Sequence, residues 1–285
     1  MGNVSNLSKT FRYVNSEGGE IIFEYAYGFL INKPVGIDTV VCKLNEAQGI
    51  DQTGTTVQSV NVQSRPVTIN GILVGEFQAE NKDKLLSVVR PDLYARLYAD
   101  DYFLDVRPTA TPTIEASSEF AAFQFSATAP YPYWQKEDSE LAVLSGVEYG
   151  FKFPWNQSRA YRFGTAIRKQ FLNVRNSGQV PVPFTLTFMA LAEVKNPQIA
   201  DASTGKFIRI NKTLSAGERV VVEITHDRTY VTSSVDGECR GALELTSSLY
   251  RLAVGDNVLK PTAESGLDDL QVSIDFAPEI VGVTV

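Results

Sequence analysis

Apolar positions along the chain recur mostly at a spacing of two, the period of a half-buried β-strand. The segments EIIFEYAYGFLI (20–31) and DTVVCKL (38–44) read as strands, separated by the turn residues NKPVG (32–36). Residues 45–59, NEAQGIDQTGTTVQS, are polar and show no period, so they are expected to form a long loop or an extended arm. VTINGILVG (67–75) is β-branched and interrupted by Asn70-Gly71, which predicts a strand with a turn or bulge. The period then changes. In ENKDKLLSVVR, Leu85, Val88 and Val89 fall at i, i+3 and i+4, so a helix is expected near 81–90, capped by Asn81 and stopped by Pro91. Strands resume in ARLYADDYFLDVRP (95–108), a hairpin with its turn at ADD, and in the alternating EFAAFQFSATA (119–129). The prolines and charges of PYPYWQKEDSE (130–140) suggest a boundary, giving domains of 1–138 and 139–285. The second half continues as strands, among them QFLNVRN, FTLTFMAL, KFIRIN, RVVVEIT, TYVTSSV, SLYRLAV and DLQVSIDFA, with Gly, Asn and Asp between them. That spacing predicts a β-sandwich or jelly roll, and the whole chain is expected to be all-β with one short helix.

Composition changes this picture little. Hydrophobic residues make up 44% of 285, enough for a real core, and no apolar run approaches the ~20 residues that span a bilayer. The first twenty residues lack an apolar signal core; MGNVSN matches a myristoylation start only by letters that recur by chance. The net charge of −7 is uneven: −6 over residues 1–138 and −1 over 139–285. With no basic stripe, tight nucleic-acid binding is not expected. Cys42 and Cys239 are too far apart in sequence to suggest a metal pair or a disulfide framework, and are read as separate, reduced and partly buried thiols.

Candidate chemistry is sparse. His226, the single histidine, lies in a turn without any G-x-S-x-G. ADASTGKF (200–207) lacks the first Gly and the final Ser or Thr of a phosphate loop, and is read as a hairpin turn at Thr204-Gly205. Asp100-Asp101 and Asp268-Asp269 are adjacent pairs, which point to opposite faces of a strand and make no acid–base couple. Asn156–Ser158 spells a glycosylation sequon. The aromatic run FKFPWNQSRAYRF (151–163) could stack sugars or fill an interface. No catalytic, cofactor-binding or metal-ligating residue emerges, and no cofactor is expected.

Several segments, in order, resemble one family, the distal tail proteins of phages infecting Gram-positive bacteria. They are YVNSEGGEIIFEY, the loop and strand ending RPVTINGILVG, the helix KDKLLSVVRPD and FQFSATAPYPYW in the first half. YGFKFP, NVRNSGQVPVPFTLTFMA, LSAGERVVVEI and LAVGDNVL follow in the second. MALAEV lacks the glycine of the family pattern, and EITHDR lacks its I-D-T. The resemblance implies an N-terminal β-sandwich or split-barrel domain that builds a homohexameric ring, and a galectin-like C-terminal sandwich. It further implies a non-enzymatic structural role at the distal tail tip or baseplate of the virion. The tail tube protein and a tail-associated fibre or lysin hub protein would be neighbours, and DNA would only pass through the lumen, with no membrane insertion. The alternative is a carbohydrate-binding module that recognises a receptor or wall glycan on the host.

Overall fold

The computed structural model describes residues 9–75, 78–116, 121–144 and 171–285. The chain divides into two compact units: Met1–Glu137 together with Glu279–Val285, and Asp138–Pro278.

The first unit contains β1 (Phe11–Asn15), β2 (Glu20–Ile22), β3 (Phe29–Ile31), β4 (Cys42–Ala47), β5 (Thr56–Val62), β6 (Arg65–Leu73), α1 (Gln78–Val88), β7 (Ala95–Ala99), β8 (Tyr102–Pro108), β9 (Thr113–Ala116), β10 (Ala121–Ala129) and β11 (Trp134–Lys136). The main sheet runs β2-β1-β7-β8-β10-β6-β3 and is antiparallel throughout, with β9 on β10 and β11 on β8. Alternation puts Ala121, Phe123, Phe125, Ala127 and Ala129 of β10 inward, opposite Val67, Ile69 and Leu73 of β6. Phe23, Phe29, Phe123, Phe125 and Tyr13 then interlock with centroids 5.7–6.4 Å apart. Each such ring contributes roughly 2–3 kcal/mol by leaving water.

Three sequence expectations change here. Asn70-Gly71 is neither turn nor bulge, because β6 pairs with β10 in unbroken register from Arg65 to Leu73. Gly71 is needed for close approach: a Cβ there would stand 2.3 Å from the Leu30 carbonyl oxygen on β3. The helix runs Gln78–Val88, and Asn81 sits inside it, buried, donating to the Tyr27 carbonyl at 3.1 Å. Leu85, Val88 and Val89 form the inward stripe as the period predicts. The 45–59 arm is not a loop but a two-stranded ribbon, β4 against β5, joined by a tip at 48–55. It stayed hidden because the register shifts between Asn45 and Glu46, which breaks the alternation in β5.

The second unit contains β12 (Glu140–Leu144), β13 (Leu172–Asn176), β14 (Thr185–Ala190), β15 (Val194–Lys195), β16 (Gln198–Asp201), β17 (Phe207–Arg209), β18 (Thr213–Leu214), β19 (Arg219–Ile224), β20 (Thr229–Ser233), β21 (Gly237–Glu238), β22 (Gly255–Thr262) and β23 (Leu270–Phe276). A sheet of order β12-β23-β14-β19-β20-β21 and one of order β13-β22-β16-β17 share a single core. Leu186, Phe188, Val222 and Ile274 come from the first sheet, and Val174, Ile199, Ile208 and Leu259 from the second. This is a β-sandwich, and α1 is the α-helix among the described residues.

After β23 the chain returns to the first unit. β24 (Glu279–Ile280) pairs with β11, Trp134 opposite Ile280 and Gln135 opposite Glu279. The boundary expected from sequence put these last seven residues with the second domain; they fold with the first. Arg65 explains how they are held. It is 2% exposed, has no carboxylate in hydrogen-bond contact and donates to the carbonyls of Gly36 (3.2 Å), Ile37 (2.7 Å) and Val281. Desolvation pushes the guanidinium down to about 10, against the favourable field of Asp38. It stays charged at neutral pH. Replacing Arg65 by Ala removes three hydrogen bonds from a charged donor, a loss of about 3 kcal/mol or more. Calorimetry of Arg65→Ala should show the first unit's transition shifted down and the second unit's unmoved. A single unshifted profile would contradict this role.

Candidate functional site

The motif residues of the sequence turn out to hold turns in place. Asn15 is buried at the β1–β2 turn; its Oδ1 accepts the N–H groups of Glu17 (3.1 Å) and Gly19 (2.7 Å), and its Nδ2 donates to the Val88 carbonyl (3.0 Å) at the end of α1. One side chain therefore fixes the hairpin and caps the helix. Trp134 is fully buried, and its indole N–H donates to the Ile37 carbonyl at 2.9 Å. In the second unit Asn176 Nδ2 donates to Val180 (2.9 Å) and Leu252 (3.3 Å) carbonyls, while its Oδ1 accepts Gly178 N–H. Asn257 does the same for the 253–257 turn and also reaches the Val174 carbonyl at 3.2 Å.

Glu218 of LSAGE is the most deeply buried charge among the described residues of the second unit. Only 3% exposed, it accepts from Lys212 Nζ, Ser233 Oγ (2.7 Å) and Ser215 N–H (3.0 Å). Lys212 also holds Asp236, tying the β18–β19 and β20–β21 turns together. Burial alone would raise the Glu218 carboxyl; the hydrogen bonds from Lys212, Ser233 and Ser215 outweigh it and hold the group below its usual range. Asp201 follows the same logic: burial raises it, and bonds from Thr204 and Ser203 more than offset that.

The chemical candidates resolve into structure. Residues 200–207 form the β16–β17 hairpin turn around Asp201, with Gly205 at φ +71°. Asp100, at φ +52° between β7 and β8, accepts from Lys9 Nζ (2.7 Å) and Thr10 N–H (3.2 Å). Asp268 and Asp269 lie in the one-turn helix Leu267–Asp269. His226 sits in a turn closed by Thr225 and Arg228, and its carbonyl accepts from Arg251 at 3.4 Å. Cys42 is exposed on β4 rather than partly buried; Cys239 is partly buried, and desolvation pushes its thiol up. Among the described residues no group of three His, Cys, Asp or Glu is placed to hold a metal, and no helix is long and apolar enough to cross a membrane. The sequon at 156–158, the aromatic run 151–163 and the YGFKFP segment lie outside the described residues.

What remains is surface, and one piece stands out. Every residue of β4 and β5 is exposed. The pairs Cys42–Val62, Leu44–Val60 and Glu46–Val57 share one face, because the bulge at Gln58 returns Val57 to the side of Val60 and Val62. Leu44, Val57, Val60 and Val62 thus form an uncovered apolar face, with Lys43, Asn45, Ser59 and Asn61 behind it. An isolated two-stranded ribbon is marginal in water without something to pack on.

Residues 177–279 match the family model for the siphovirus-type tail component, C-terminal domain. The fold is similar to that of the Dit protein (gp 19.1) of phage SPP1, described as a paradigm of the hub adsorption apparatus in phages infecting Gram-positive bacteria. That likeness has a TM-score of 0.69 at 12% identity and covers 94% of this chain and 98% of the other. Residues 177–279 thus carry the pattern of a phage tail-component domain. The chain is also similar to a chain of the phage P2 baseplate in its activated conformation with Ca, with a TM-score of 0.52 and 9% identity over 97% of this chain and 100% of that one. No curated protein sequence matches it. The matched stretch takes in Glu218 and Asn257, two of the turn-holding residues described above.

A pH dependence follows. The ordinary values for Glu218 and Asp201 are 4.5 and 3.8, and both are depressed in the folded state. Their stabilisation is therefore complete above those values and is lost as pH falls through the lower folded ones. Denaturant midpoints of the second unit should be flat near neutrality and decline in acid. Glu218→Gln should cost about 3 kcal/mol at pH 7 and flatten the acid decline. An unchanged acid limb in that variant would refute the assignment.

Proposed function

We propose that the chain is the distal tail hub, a homohexameric ring joining the tail tube to the tail-tip, baseplate or fibre proteins. The family match over 177–279 and the end-to-end likeness to a hub protein support this reading. The described motif residues hold turns. The observation that carries the ring is the exposed ribbon β4–β5 with its bare apolar face. A closed ring joins two different surfaces of successive copies. Tyr25, Tyr27 and the outward Leu86 of α1 offer a second exposed apolar surface on the same unit. The role is architectural, and the −6 balance of residues 1–138 suits a lumen that DNA crosses without adhering.

The test is the pair Leu44→Lys and Val60→Lys in one chain. Both side chains are exposed, so the melting temperatures should stay close to wild type. Light scattering should give the mass of six chains for the wild type and of one chain for the variant. Rings that survive the double substitution would remove the ribbon from the interface, and a monomeric wild type would remove the ring.

A further inference from the structure

The first unit contains a groove for an extended peptide, and the chain fills it with its own residues 279–285. Three features build it. The free edge of β11 offers backbone pairing, which β24 takes. The carbonyl of Ile37 accepts the Val283 N–H at 3.1 Å, and Arg65 binds the Val281 carbonyl. An apolar seat takes Val283, which is 2% exposed within the first unit's core, with Ile280 and Val285 packed beside it. Specificity is steric at Gly282, where a Cβ would stand 2.5 Å from the Asp38 carbonyl oxygen. It is polar at Glu279, whose buried carboxylate accepts the Tyr131 hydroxyl at 2.5 Å. Strand addition at an edge plus alternate side-chain pockets is a known mode of peptide recognition.

We propose that this groove is a peptide-binding site of the first unit whose ligand is the segment Glu279–Val285, and that its filling closes the unit. The whole second unit, Asp138–Pro278, lies between the groove and its ligand in the chain. During synthesis the groove must stay empty until the second unit has been made. With it empty, β11 presents an unpaired edge, the kind that pairs with foreign strands. Filling it makes completion of the second unit a condition for a closed first unit. The inference concerns folding within one copy, so it stands or falls independently of the ring.

Two measurements decide it. A full chain carrying a protease site inserted between Phe276 and Glu279 is folded first and then cut. The released segment should stay bound through gel filtration; its loss from the cut protein would overturn the proposal. The chain lacking residues 279–285 should show amide exchange in β11 faster by about a hundredfold, with the second unit protected as in the full chain. A synthetic peptide of sequence EIVGVTV should restore protection, and the same peptide with Gly282→Val should not. Undiminished β11 protection in the truncated chain, or equal rescue by both peptides, would also overturn it.

Discussion

One carbonyl oxygen organises the first unit. Ile37 O accepts from the Arg65 guanidinium (2.7 Å), the Trp134 indole (2.9 Å) and the Val283 amide (3.1 Å). These donors come from β6, from β11 and from the returning segment, so one atom joins the turn 32–38 to three separate parts of the chain. A buried carbonyl must be satisfied, and a buried guanidinium is tolerated only with enough acceptors. The two requirements meet at the Arg65 Nη atoms, while its Nε is buried without an acceptor. The turn itself is shaped for the purpose. Gly36 adopts φ +88°, and a Cβ there would stand 2.1 Å from the Pro66 carbonyl oxygen, so only glycine brings the turn against the start of β6.

From that junction the division of labour in the chain is understandable. The first unit spends its polar residues on closing itself: Asn15 on a turn and a helix end, Arg65 and Trp134 on Ile37, Glu279 on Tyr131. The second unit closes by a different device, a sandwich with asparagine-held turns and the Lys212–Glu218–Asp236 ion cluster. In both, the described motif residues hold turns and helix ends in place.

Local periodicity made much of this legible in the sequence. The alternation of β10 and β23, the i, i+3, i+4 stripe of α1, the hairpin at Asp100 and the turn at Gly205 could be read directly, because neighbours along the chain determine them. Three things could not. Asn81 has the chemistry of a helix cap, but its partner is Tyr27, on the one-turn helix 25–27, so its true position inside α1 depends on a distant contact. The β4–β5 ribbon lacks the signature of a core strand since it has no core, and its bulge disrupts the period. The return of residues 279–285 was invisible because EIVGVTV reads as one more strand of the unit it follows. Ordered motifs carried the family resemblance without revealing what each residue does. Asparagine and glycine serve turns, caps and active sites alike, and only their hydrogen-bond partners distinguish the uses.

We propose a ring-forming tail hub assembled through its first unit. Cryo-electron microscopy of the purified full-length chain tests it most directly. Closed rings of six copies are expected, with the first units forming the ring and the apolar face of each 42–62 ribbon covered by the next copy. Single particles of one chain, or rings built from the 138–278 units with the ribbons standing bare in solvent, would contradict it.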